Sequence, residues 1–195
     1  MAVETVSIND CNIKNRFTLN FAEKTVNELL PKLNPHFIRY QICGSIRRKK
    51  PTVGDIDIVA IPKSEYNFGE ENLSNLISRL DPEGNEMAKS LGKSGTRRFL
   101  NGSLIKRFKF KGISIDIYLA DENTFGTLTL IRTGSKEHNI KLTGIARRKG
   151  MKLFASGKGL CVVDEKDNIT KIITTDENEI LSVLLGYIPE PTARN

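Results

Sequence analysis

Cysteine, histidine and long apolar runs are all scarce in this chain, and each scarcity closes off a class of function. The cysteines Cys11, Cys43 and Cys161 are scattered and odd in number, and His36 and His138 are the only histidines. Neither a disulfide framework nor a zinc site follows from such a set, and a reducing compartment fits it best. No apolar run approaches the roughly 18 residues of a membrane span, and no charged start leads into an apolar core. The expectation is an intracellular protein, not secreted and without a membrane partner. Internal repeats and low-complexity linkers are missing too. Gly92-Lys93-Ser94 matches the end of the phosphate-cradling loop G-x-x-x-x-G-K-[ST], but Met87 stands where its first glycine belongs, which excludes an ATPase of that kind.

What is present is an ordinary globular composition with an uneven charge. The chain has 195 residues, 38% hydrophobic and 27% charged, enough for one good core or two small lobes rather than disorder. A net charge of +7 favours a polyanionic partner. Its distribution says more than its sum. Eight Lys or Arg and no acid lie between Lys89 and Lys111, and seven basic residues accompany Glu137 alone between Arg132 and Lys152. Six acids gather between Asp164 and Glu179 against Lys166 and Lys171. Segregated positive charge is what a groove that follows a phosphate backbone requires.

Periodicity divides the chain. Phe21, Val26, Leu29, Leu30 and Leu33 recur at helical spacing until Pro35 stops the pattern, and residues 37–43 alternate as a strand. A Gly44-Ser45 turn follows, then an apolar strand over 56–61, a helix over 71–80 and an Asp81-Pro82-Glu83-Gly84 turn. Short strands are expected over 97–99, 104–110 and 113–119. Beyond Asp121 the pattern turns helical over 125–131 and again over 136–148, broken at Thr133-Gly134-Ser135 and ended by Gly150. A β-rich stretch over 151–173 then precedes a last helix, started by a capping box at Thr174 and Glu177 and stopped at Gly186. The expectation is an α+β fold: residues 1–120 as a mixed sheet with helices, residues 121–195 as a smaller α/β lobe, with a cleft between.

The chemistry concentrates between Gly44 and Asp57. Asp55 and Asp57, one residue apart on a strand, face the same way and can grip one hard cation. The Gly44-Ser45 turn with Arg47 and Arg48 supplies backbone donors and guanidinium groups for phosphate oxygens. In Ile113 to Leu119 a third acid, Asp116, shares a face with Ser114 and Tyr118, away from the aliphatic face. Three carboxylates suffice for two Mg2+ ions, with Mn2+ able to substitute, in phosphoryl transfer to a hydroxyl. Asp55 and Asp57 are assigned to both ions, and Asp116 to the one that activates the nucleophile.

These residues resemble the nucleotidyltransferase superfamily, and specifically the family X DNA polymerases. Gly44-Ser45-Ile46-Arg47-Arg48, five further residues, then Gly54-Asp55-Ile56-Asp57 is similar to their palm signature, and Ile115-Asp116-Ile117 to their third metal strand. Thr133-Gly134-Ser135, Asn139, Ala146 to Gly150 and the ending Tyr187-Ile188-Pro189-Glu190-Pro191 resemble their nucleotide-closing lobe. The resemblance runs over about residues 20 to 192. It implies that Asp55, Asp57 and Asp116 are catalytic metal ligands, and that Gly44, Ser45, Arg48 and Gly54 hold the triphosphate. It also implies that Gly134 and Asn139 lie against the incoming sugar and base. The implied activity is addition of dNMP from a dNTP to a primer 3'-OH, on primer-template or gapped DNA, by a monomer filling short gaps in repair.

The chain departs from the family at several points. Ile131 and Arg132 stand where relatives often have a paired aromatic step, and Thr143 where they have an arginine that monitors the template pair. Sugar selection and fidelity therefore do not carry over. Ser114 occupies a position where the family can have an arginine near the primer, which shifts the expected phosphate contacts to Lys106, Arg107, Lys109 and Lys111. The roughly forty residues before Gly44 are too few for a lyase domain or helix-hairpin-helix clamps, so no 5'-deoxyribose phosphate lyase activity is expected. Two other readings stand beside the polymerase: a nucleotidyltransferase acting on RNA ends or another hydroxyl acceptor, and a non-catalytic nucleic-acid-binding module.

Overall fold

The computed structural model describes residues 16–63, 72–90 and 99–194, together with the backbone of Thr5–Val6. The chain divides into two compact units, Met1–Leu119 and Ala120–Asn195. Expectations for Glu71, the Gly92-Lys93-Ser94 loop, Arg97 and Arg98 lie outside the described residues.

In the first unit, β1 (Thr5–Val6) and β2 (Arg16–Thr18) lead into α1 (Leu19–Leu33). Thr18 caps α1 by accepting from the Phe21 amide at 3.2 Å. After β3 (Phe37–Ile42), the Gly44-Ser45 turn is the start of one helical turn, α2 (Gly44–Arg47). Then come β4 (Thr52–Val53), β5 (Asp55–Pro62), α3 (Leu73–Leu80), α4 (Pro82–Ser90), β6 (Leu100–Asn101), β7 (Ile105–Phe110) and β8 (Ile113–Leu119). Five strands form one sheet in the order β3-β5-β8-β7-β6, and β1-β2-β4 form a small second one. Only β5 and β8 run parallel, so the sheet is mixed and the unit α+β as expected.

The core lies on one face of the large sheet. Ile56, Ile58 and Ala60 of β5, Ile113, Ile115 and Ile117 of β8, and Phe108 of β7 pack with Leu29 and Leu33 of α1 and Ile77 of α3. Each such isoleucine, leucine or phenylalanine side chain, fully buried, contributes about 1.5–3 kcal/mol. Alternation then sends Asp55, Asp57, Arg107, Ser114, Asp116 and Tyr118 to the opposite face.

Asp81-Pro82-Glu83-Gly84, expected as a turn, instead begins α4. Proline is tolerated at a first helical position because the missing amide has no intrahelical partner there. Buried Asp81 accepts from the Gly84 amide at 3.0 Å and from the Lys109 amide of β7 at 2.9 Å, so one carboxylate caps the helix and anchors a strand.

The second unit holds α5 (Phe125–Thr133), α6 (Lys136–Arg148), an antiparallel sheet of β9 (Met151–Phe154), β10 (Gly159–Val163) and β11 (Ile169–Thr174), and α7 (Glu177–Leu185). Its own core joins Leu130, Leu142, Leu153, Leu160, Ile180 and Leu181. The cap of α7 is Asp176, accepting from the Asn178 and Glu179 amides, and not the expected Thr174–Glu177 box. Thr174 belongs to β11 and donates to Glu179 at 2.5 Å. Among the described residues no helix is long and apolar enough to cross a membrane. Cys43 and Cys161 are buried free thiols.

Arg194 closes this unit. It is 2% exposed and donates from Nη1 to Glu177 Oε1 at 2.6 Å. Arg194→Ala removes the guanidinium from beside that buried carboxylate, and urea unfolding of the chain should lose about 3–5 kcal/mol in the transition of this unit. A loss below about 1 kcal/mol would mean that solvent reaches Glu177 and replaces the pair.

Candidate active site

Two strand registers build the site. Parallel pairing sets Asp55 opposite Ser114 and Asp57 opposite Asp116. Antiparallel pairing sets Arg107 opposite the same Asp116. Neighbouring strands lie about 4.8 Å apart, so Asp57, Asp116 and Arg107 form one charged row across the sheet, with Asp55 and Ser114 one step along it. Asp55 and Asp57 are partly exposed at the start of β5, whereas Val59, Ala60 and Ile61 further along are buried.

The turn before β5 is shaped around Asp57. The Cys43 amide donates to the Asp57 carbonyl at 2.8 Å, and the Arg48 amide donates to the Gly44 carbonyl at 3.2 Å, closing α2. Gly44 has φ of 58°, and a Cβ there would come within 2.2 Å of Asp57 Oδ2. Glycine is needed twice, for the backbone conformation and for the carboxylate lying against it. Ser45 and Arg48 are half-buried on this turn, and Gly54 lies between β4 and β5.

Asp116 faces away from the aliphatic core yet is only 3% exposed. Arg107 covers it, donating from Nε to Oδ1 at 2.6 Å and from Nη2 to Oδ2 at 2.5 Å, while the Tyr118 hydroxyl donates to Oδ2 at 3.3 Å. The Asp116 hydrogen bond raises the Arg107 guanidinium well above its ordinary range, against the opposing effect of burial, with Asp55 adding a smaller electrostatic contribution. Arg107 was expected to contact phosphate; it is bound to a carboxylate instead. Lys106 is buried with Nζ donating to Ser74 Oγ at 2.8 Å, and Lys111 pairs with Glu28, whereas the Lys109 side chain is exposed. The signal for the Arg107–Asp116 pair was in the sequence. A two-residue Lys111-Gly112 hairpin pairs Phe110 with Ile113 and thereby fixes Arg107 against Asp116.

The donor set is all hard oxygen, which suits Mg2+ or Mn2+, and the shared face of Asp55, Asp57 and Asp116 fits such an ion. Among the described residues no three acid, histidine or cysteine side chains are yet gathered closely enough to hold a metal together.

In the second unit Gly134 ends α5 with φ of 69°, and a cis peptide joins it to Ser135. Ser135 caps α6 by accepting from the His138 amide at 3.2 Å, and its own amide donates to the Arg194 carbonyl at 3.2 Å. Asn139 Nδ2 donates to the Ile131 carbonyl at 2.8 Å, bracing α6 against the end of α5. Burial, with Arg194 and Lys141 nearby, holds His138 below its ordinary value, so its ring is neutral at neutral pH. The structure thus gathers Gly44, Ser45, Asp55, Asp57 and Asp116 in the first unit and Gly134 and Asn139 in the second.

A mixed sheet whose parallel strand pair carries acids behind a Gly-Ser helical turn is the nucleotidyltransferase palm class of fold. A family model for the DNA polymerase beta palm matches residues 16–121, and one for the DNA polymerase beta thumb matches residues 128–195. The chain belongs to that family, the family X DNA polymerases. The DNA polymerase/3'-5' exonuclease PolX of Bacillus subtilis is 30% identical over 146 residues, which are 73% of this chain and 23% of that protein. The chain therefore spans about a quarter of the length of this relative. Two crystal structures of Leishmania infantum polymerase beta share the fold. A ternary P/T complex has a TM-score of 0.58 and 21% identity, covering 93% of this chain and 77% of that one. A ternary gap complex has a TM-score of 0.59 and 18% identity, covering 93% and 71%.

Gly44→Ala tests the turn. The left-handed backbone alone costs about 1–2 kcal/mol for a residue with a Cβ, and displacement of Asp57 adds to it. Urea unfolding should register at least that loss in the first unit, and an unchanged midpoint would mean that the turn relaxes freely around a methyl group.

Proposed function

We propose that this chain is a DNA-directed DNA polymerase that adds dNMP from a dNTP to a primer 3'-OH, working on primer-template or gapped DNA and suited to short gap filling in repair. One observation carries the reading: Asp57 and Asp116 stand opposite each other on parallel strands, with Asp55 beside them and the Gly44-Ser45 turn against Asp57. The matching palm and thumb families support it, as do relatives described as DNA polymerases. It acts as a monomer, inside the cell wherever its DNA lies.

The residues divide the work by position. Asp55, Asp57 and Asp116 would hold two Mg2+ ions, Mn2+ substituting, which when bound neutralise a triphosphate and lower the pKa of an attacking hydroxyl. The Gly44-Ser45 turn offers backbone amides and a hydroxyl to phosphate oxygens, and Arg48 and Gly54 border the same stretch. Ile56 and Ile115, both fully buried, fix the strands that carry the acids, so the strand register is set before substrate arrives. Residues 121–195 form the nucleotide-binding lobe, with Gly134 and Asn139 against sugar and base. Basic residues near Lys109 and along α6 hold the nucleic acid backbone, which makes affinity fall steeply with salt.

The test offers gapped DNA, single-stranded DNA and a short RNA, each with one labelled dNTP or NTP and Mg2+, beside Asp116→Ala. Templated addition at the gap, falling at least about 1,000-fold in the variant, is the expected outcome. Addition to RNA ends alone would establish the alternative, a nucleotidyltransferase acting on RNA ends, and no addition to any substrate would leave a binding module. The same DNA, titrated between 50 and 200 mM salt, should lose affinity by about 1,000-fold or more if six or so phosphates are contacted; a flat salt response would contradict the proposed DNA surface.

A further inference from the structure

Asp116 is claimed from both sides before any cation reaches it. Each carboxylate oxygen offers about two lone-pair sites. Oδ2 spends its pair on Arg107 Nη2 and the Tyr118 hydroxyl, and Oδ1 spends one on Arg107 Nε. The side chain of Asp116 is 4% exposed and that of Arg107 30%. The carboxylate is enclosed, while the arginine side chain is partly exposed. The backbones cannot separate them either, because β7 and β8 are paired along their whole length, from Ile105–Tyr118 to Phe110–Ile113.

We propose that Arg107 is the built-in counter-ion of Asp116 and competes with the divalent cation for it, so that the third acid joins the metal site only when the Arg107 side chain swings away. This rests on the reading of Asp116 as a metal ligand. Three features of the site follow from it. Asp116 is held in one orientation although buried, because a bidentate guanidinium grips both its oxygens. As it stands Asp116 is engaged by Arg107 of β7 through both carboxylate oxygens. The side chain that must move is the exposed one, and Asp55 on the same face keeps it in the neighbourhood of the site. Arg107 thereby acts as a positioning residue that sets the cation concentration at which the site assembles.

Manganese binding to the whole protein, followed by electron paramagnetic resonance without nucleotide or DNA, tests this with a readout that a purely structural role does not move. Arg107→Gln removes the competing charge and leaves a buried carboxylate whose remaining compensation is the metal, so Mn2+ should bind roughly tenfold tighter. Arg107→Lys keeps the charge but not the bidentate grip and should fall between the two. The gain should vanish in Arg107→Gln combined with Asp116→Asn. Unchanged or weaker Mn2+ binding in Arg107→Gln, with a cooperative thermal transition showing that it is folded, overturns the proposal while leaving the metal site standing. Absence of Mn2+ binding in both the wild-type protein and Arg107→Gln overturns the metal-site reading itself, and the proposal with it.

Discussion

The parallel pairing of β5 with β8 is the constraint on which the rest of the site depends. Its register brings Asp57 level with Asp116, and the aliphatic residues between the acids hold that register by filling the core face. A slip of one residue would turn Ile56 and Ile115 outward and bury the carboxylates among them, which no ion pair in reach would compensate. Packing therefore selects the arrangement that function uses. Interactions elsewhere in this unit refine the same frame: Asp81 anchors β7, and Gly44 lets the turn lie against Asp57.

Burying Asp116 beside a hydrophobic sheet is costly unless its charge is matched. The first unit meets that cost with a cross-strand ion pair. Arg107 and Asp116 meet because a two-residue hairpin leaves no freedom in their register. The second unit uses the same device at another place, with Arg194 buried on Glu177 while its carbonyl accepts from Ser135 beside Gly134. The end of the chain thus braces the turn that carries the proposed nucleotide contacts.

Strand and helix periods in this sequence are clean, so most elements and the α+β class are legible in it. The three acids were legible as chemistry, since their spacing on strands implies a shared face. What escaped was long-range or hidden by ambiguous local signals. Asp81-Pro82-Glu83-Gly84 reads equally as a turn and as a helix start, and tertiary contact between Asp81 and Lys109 decides it. Thr174 and Glu177 have capping-box spacing, but Thr174 is committed to a strand pair with Leu160, which leaves Asp176 to cap the helix. Arg107 looked like a phosphate ligand because it lies in a basic run; only cross-strand register reveals the carboxylate opposite it.

The central claim is that Asp55, Asp57 and Asp116 form one two-metal site. It is tested most directly by anomalous diffraction from crystals of the protein grown with gapped DNA, a non-hydrolysable dNTP and Mn2+. Two anomalous peaks about 3.5–4 Å apart, with Asp55 and Asp57 touching both and Asp116 one, are the predicted result. Peaks ligated by other residues, or none at these three acids while nucleotide and DNA are clearly bound, would contradict it.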